Sequence, residues 1–285
     1  MPPAPRHHAE ELAARLPPLL VAAARVAATV AGGIHGRRRT GPGETFWQYR
    51  RSQPGDAAAA IDWRRSGRSD HLFVRETEWA AAQTVWLWRD RSPSMDWRSA
   101  PDLPTKRHRA ELLILAMAAL LLKGGERVAL LSGGLAPTAG NGALARLAAA
   151  LDRESDGGIV VTPPRHAPLV LAGDLLAPLD QTEEMIARLA AGGAIGHLVQ
   201  VLDPAEETLP YRGHVRFEGL EDDGTKLARR AEDLRAPYAA RLAHHRDGLA
   251  AIARDHGWSF ALHRTDQPPQ HALLALHALL SERTT

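Results

Sequence analysis

Thr84-Val85-Trp86-Leu87-Trp88 runs straight into Arg89-Asp90-Arg91-Ser92-Pro93-Ser94-Met95. An apolar run of five β-branched, aromatic and aliphatic residues reads as a strand buried on both faces. The polar, proline-containing stretch after it reads as a turn. Four further runs of the same kind follow: Arg127 to Leu131, Pro168 to Ala172, His197 to Leu202 and Trp258 to His263. Helical patterns separate them at Lys106 to Leu122, Ala143 to Leu151, Thr182 to Ala191 and Leu227 to His256, and Gln270 to Ser281 reads as a closing helix. Alternating strands and helices of these lengths predict βαβ units, hence an α/β fold of three layers with a mostly parallel, Rossmann-like sheet. Pro237 is expected to break the Leu227 to His256 helix, and Leu209 to Glu221, punctuated by Pro210, Gly213 and Gly219, reads as an exposed hairpin or loop.

The first 83 residues differ from this pattern and read as a separate helical and mixed segment packed on the α/β domain of residues 84–285. Glu10 to Val30 is rich in Ala and Leu, and His71 to Arg75 alternates like an extra antiparallel edge strand. His35 through Arg68 carries eight arginines against Glu44, Asp56 and Asp62, a local balance of +5. Asp56, Asp62, Arg64 and Arg75 with Glu44 and Glu76 read as an ion-pair cluster, and most of the tryptophans between Trp47 and Trp97 as packing anchors.

Composition narrows the chemistry. The 285 residues hold 35 Lys+Arg against 33 Asp+Glu, a net +2 that argues against a chain built to coat nucleic acid. There is no cysteine, which excludes disulfides, thiolate metal sites and thiol nucleophiles. Leu16 to Val30 is interrupted by Pro17, Pro18 and Arg25, and Leu112 to Leu122 is eleven residues long, so neither reaches the roughly 20 apolar residues of a membrane-crossing helix. Glu10 and Glu11 stand where a signal peptide needs an apolar core, so the expectation is a cytoplasmic protein. No Walker A motif, strand-borne G-x-G-x-x-G, G-x-S-x-G or H-E-x-x-H occurs.

In open α/β sheets, ligands gather beyond the carboxyl ends of the strands. Asp90, Ser92 and Ser94 at that place form D-x-S-x-S, one carboxylate and two hydroxyls that a turn can aim at a common point. These are hard oxygen donors suited to Mg²⁺ or Mn²⁺. The same residue types also make turns and helix caps with no ion present.

D-x-S-x-S after the first central strand resembles the opening of the metal-ion-dependent adhesion site of von Willebrand factor A domains. The surrounding stretches are similar to the bacterial family called domain of unknown function 58: Arg38-Arg39-Thr40-Gly41-Pro42-Gly43-Glu44, Phe46-Trp47-Gln48-Tyr49-Arg50, Pro54-Gly55-Asp56, Ile61-Asp62-Trp63-Arg64 and Val74-Arg75-Glu76. The resemblance implies a von Willebrand A-like fold and a partnership with an AAA+ ATPase of the MoxR type. It also implies two more site residues, an aspartate after a later strand, which Asp174 supplies, and a threonine in the second loop. Thr138 is the candidate for the latter, with Asn141 as its rival. The expected function is divalent-cation-dependent protein binding without catalysis. One Mg²⁺ or Mn²⁺, held by Ser92 and Ser94 directly and by Asp90 and Asp174 through water, would leave a position for an acidic side chain of a protein partner. Two alternatives stand beside it: a metal-independent scaffold, and a metal-dependent phosphoesterase that would recruit Asp96 and Asp102.

Overall fold

A computed structural model describes residues 18–31, 46–53, 61–69, 71–77, 82–154, 158–220 and 224–282. The chain divides into two compact units, residues 34–82 and the remainder. The described helix at residues 18–31 (α1) thus groups with the α/β unit rather than with the mixed segment. Its buried Leu19, Ala23, Val26, Ala27 and Val30 fall at helical spacing and form one stripe.

In the smaller unit, β1 (Phe46–Arg51) pairs antiparallel with β2 (Phe73–Thr77). The strand expected from His71 onward therefore has β1 as its partner and is no edge of the main sheet. Between them α2 (Trp63–Ser66) is capped by the Asp62 carboxylate, which accepts from the Arg65 amide at 3.0 Å. The Ser66 hydroxyl accepts from the Phe73 amide at 2.9 Å. Asp62 is thereby a local cap, Arg64 is exposed, and Trp63, 62% exposed, is no packing anchor. Glu44, Asp56, Trp79 and the side chains of Trp47, Arg75 and Glu76 lie outside the described residues.

The main sheet holds five parallel strands in the order β4-β3-β5-β6-β9: β3 (Thr84–Arg89), β4 (Arg127–Leu130), β5 (Pro168–Gly173), β6 (Ile195–Leu202) and β9 (Ser259–Arg264). All five match the strands read from sequence to within two residues at each end. Side chains alternate across β3. Arg89 reaches Glu111 on α3 (Lys106–Lys123) on one face. Trp86 on the other face joins a core with Ile186, Leu189, Leu249 and Ala253 from α5 (Leu179–Ala190) and α7 (Arg235–Asp255). This makes three layers. α3 has no polar stripe because it is enclosed by the sheet, α4 (Ala143–Arg153) and α8 (Pro269–Glu282), so Leu112 to Leu121 is core and not a membrane segment. Among the described residues no helix is long and apolar enough to cross a membrane.

The connection from β6 to α7 carries α6 (Pro204–Thr208) and a hairpin of β7 (Val215–Glu218) with β8 (Thr225–Ala228). The hairpin expected from Leu209 to Glu221 is present, but its return strand takes the residues expected to open the long helix. That helix begins at Arg235, so Pro237 lies in its first turn, where a missing amide costs nothing, and no break occurs.

Buried His263 on β9 has its Nε2 without a hydrogen-bond partner. Burial, and then the Arg109 guanidinium, depress its pKa to about 4 from 6.5. Since protonation favours the unfolded chain, the stability it contributes is present above pH 6.5 and lost as pH falls toward 4, a loss of up to about 3 kcal/mol. Urea unfolding of wild type and His263→Gln at pH 7 and pH 4.5 should show the variant losing about 2 kcal/mol less on acidification.

Candidate functional site

The strand order places β3 and β5 side by side although β4 lies between them in sequence, so the connections leave this pair in opposite directions. Such a switch point opens a crevice at the carboxyl ends. The Asp90 amide donates to the Ala172 carbonyl at 2.8 Å, extending the β3–β5 ladder by one residue and fixing where the first loop leaves the sheet. The Asp90 carboxylate accepts from the Ser92 amide at 2.8 Å and starts a 3₁₀ turn over Pro93–Asp96, pinned by fully buried Met95. To that extent the turn reading is right. The hydroxyls do something else: Ser92 caps no backbone amide, its Oγ lies 3.0 Å from Ser94 Oγ, and Ser94 Oγ donates to Asp174 Oδ2 at 2.6 Å.

Asp174 is buried at the end of β5. Its carbonyl accepts from Gln200 Nε2 at 2.9 Å, and the carbonyl of Leu175 meets His245 Nε2 at 2.7 Å. These anchors hold Leu175 at φ 50°, a left-handed conformation that costs a leucine about 1 kcal/mol or more. Leu209, which caps the end of α6, has φ 42°. Both leucines line the same cleft. Gly173 is needed for close approach, because a Cβ there would stand 2.5 Å from Asp90 Cβ.

The feature unread from sequence is Lys106. Its side chain is fully buried, and its ammonium donates to Asp174 Oδ2 at 2.9 Å and to Glu206 Oε1 at 2.5 Å. Glu206 is fixed in turn by a capping box, its Oε2 accepting from the Asp203 amide at 2.9 Å while Asp203 caps α6. Burial alone would lower the Lys106 pKa, but the charges of Asp174 and Glu206 outweigh it and hold it above the ordinary 10.5. Two carboxylates share one ammonium, so this group carries a net −1. Two sequence signals pointed here: a lysine in the first turn of a helix opposes the helix dipole, and Asp203-Pro204-Ala205-Glu206 has the spacing of a capping box.

Asp90, Ser92, Ser94, Asp174 and Glu206 lie in the wall of a cleft of about 940 Å³, closed on its other sides by α5, Tyr238 and β7. Trp97 also lines it, half-buried. Thr138 does not belong to this group. The chain after β4 folds back along that strand's outer edge, Val128 and Thr138 exchange backbone hydrogen bonds, and the Thr138 hydroxyl accepts from Arg146 at 2.6 Å. That places it beyond β4, away from the β3–β5 junction. Asn141 is exposed beyond it and is no substitute. Asp96 pairs with Arg107 and Asp102 is exposed, and neither lines the cleft, so the carboxylate set of a two-metal phosphoesterase is not assembled among the described residues. No three His, Cys, Asp or Glu side chains among the described residues gather as a metal-holding group. Any ion here must rely on the serine hydroxyls.

Residues 48–248 match the model of a family described as "Protein of unknown function DUF58". Uncharacterized proteins of Mycobacterium bovis and Mycobacterium tuberculosis are each 27% identical to this chain over 251 residues, covering 80% of it and 76% of the relative. No solved structure matches the chain.

Two outcomes are expected from the packing. Lys106→Met leaves Asp174 and Glu206 facing each other without a cation and should cost about 3 kcal/mol in urea unfolding at pH 7. Because the folded-state pKa of Lys106 is raised, its contribution is whole below pH 10.5 and is lost as pH climbs through the folded value, so on the alkaline side the gap between wild type and variant should narrow above that pH. Gly173→Ala should destabilise by about 1–3 kcal/mol, measured the same way, since the new methyl meets Asp90 Cβ rather than a mobile side-chain tip.

Proposed function

The chain belongs to the DUF58 family, and on that premise we propose that it is a protein-binding adaptor whose docking point is the strand-end cleft, working with an AAA+ ATPase of the MoxR type or with that ATPase's client. The observation that carries this reading is the chain of contacts from Ser92 Oγ through Ser94 Oγ to Asp174 Oδ2 at the β3–β5 switch point, beside an open cleft. Its donors suit binding rather than turnover. The carboxylates of Asp174 and Glu206 are already engaged by Lys106 and backbone amides, and among the described residues no histidine lines the cleft to act as a general base. The MoxR partnership rests on the family resemblance. A von Willebrand A likeness rests on D-x-S-x-S after β3 and Asp174 after β5.

A single Mg²⁺ or Mn²⁺ belongs to this proposal. Ser92 and Ser94 would hold it, with Asp90 and Asp174 acting through water, and the net −1 of the Lys106 group favours a cation over an anion. Bound there, the ion supplies an exchangeable coordination position for a carboxylate of the partner. Lys106 favours a second reading, in which docking needs no metal: its ammonium already sits on Asp174 Oδ2, and the second-loop hydroxyl is turned away.

Calorimetric titration of the full chain with MgCl₂ and MnCl₂ separates the two. The first reading expects one ion per chain and an affinity about tenfold weaker, or lost, in Ser92→Ala and Ser94→Ala. Absence of binding, or equal binding by the serine variants, overturns the metal-dependent reading and leaves the metal-free one.

A further inference from the structure

Aromatic side chains are scarce in this chain, with seven Trp, three Tyr and four Phe in 285 residues. Five of them, Trp88, Trp97, Tyr211, Phe217 and Tyr238, line the strand-end cleft. All five are half-buried, so each keeps part of its surface on the cleft space. Their arrangement is held: Phe217 on β7 meets Tyr211 edge to face at 5.7 Å, and the Tyr238 hydroxyl donates to the Glu206 carbonyl at 2.5 Å. Burial and the neighbouring carboxylates raise the pKa of both tyrosines, Tyr238 to about 12, so they stay neutral phenols.

A hydrated metal ion has little use for such walls, whereas an organic cation gains from them. Aromatic faces attract alkylammonium groups, and the attraction grows where water is excluded. Charge complementarity points the same way, because Lys106 neutralises only one of Asp174 and Glu206. Arg216 is the one cationic side chain among the described lining residues, and it is paired with Glu218 in an exposed position. Acceptor geometry narrows the guest further. Asp174 Oδ2 takes Ser94 and Lys106, and its Oδ1 takes the Leu176 amide; Glu206 Oε1 takes Lys106, and its Oε2 takes the Asp203 amide. Neither of the two carboxylates around Lys106 therefore leaves an edge open for the planar fork of a guanidinium. An ammonium, with three separately directed donors, can share single lone pairs of Glu206 and of the serine hydroxyls.

We propose that the cleft receives a lysine side chain of the partner protein, its ammonium beside Glu206 and the Ser92 and Ser94 hydroxyls and its methylene stem between the aromatic walls. This rests on the reading of the cleft as the docking point and deepens it. A dication at the serines and an ammonium beside Glu206 draw on the same negative charge, so each weakens the other.

The test titrates the full chain, in EDTA, with the N-acetyl, methylamide-capped forms of lysine, norleucine and arginine, followed by tryptophan fluorescence. The lysine compound should saturate and bind about tenfold more tightly than the other two. Phe217→Ala and Trp97→Leu should each weaken it several-fold, and replacing EDTA by millimolar Mg²⁺ should weaken it in the wild type. Equal binding of lysine and norleucine marks a merely apolar cleft, equal binding of lysine and arginine marks a non-selective acidic one, and either overturns the proposal. No binding by any of the three overturns it too. If Mg²⁺ still binds through the serines in that last case, the docking reading stands and the lysine assignment alone falls.

Discussion

An ammonium enclosed in protein and shared by two carboxylates is the constraint on which the rest of the site depends. Lys106 begins α3, Asp174 ends β5 and Glu206 belongs to α6, so one charged atom ties three elements together at the carboxyl edge of the sheet. Desolvating three charges is costly, and the arrangement holds because every oxygen of the two carboxylates has a donor. The serine hydroxyls inherit their positions from it: Ser94 donates to the same Asp174 oxygen that receives Lys106, and Ser92 follows Ser94.

Backbone strain is placed in the same region. Leu175 and Leu209 both adopt left-handed conformations that leucine avoids, and both line the cleft. The surrounding hydrogen bonds hold Leu175 there: Gln200 grips the peptide on one side and His245 the other. Such strain persists where neighbouring structure over-determines the backbone, and it concentrates at binding surfaces. The upper wall is built separately from the floor, since β7 and β8 form a two-stranded ribbon outside the main sheet.

The central sheet was legible in the sequence because parallel strands covered on both faces are continuous apolar runs, and the five runs appear within two residues of their observed ends. Asp90, Ser92, Ser94 and Asp174 were legible for a related reason, since a strand that ends in polar residues delivers them to one edge. The misses have local causes. Thr138 has the right type and lies in the right loop, but four residues of that loop turn back along β4, and hydrogen bonds of this kind leave no periodic mark. Leu227 and Ala228 passed for the start of the long helix because leucine and alanine favour helix, while pairing with β7 makes them the end of a strand. Lys106 was read only as the first residue of a helix, and the positions of Asp174 and Glu206, far away in sequence, turn it into the centre of the site.

The β7–β8 ribbon grows out of the link between β6 and α7 and takes no part in the register of the five-stranded sheet. A change in its length or side chains would therefore reshape the upper wall of the crevice while leaving every strand pairing beneath it as it is.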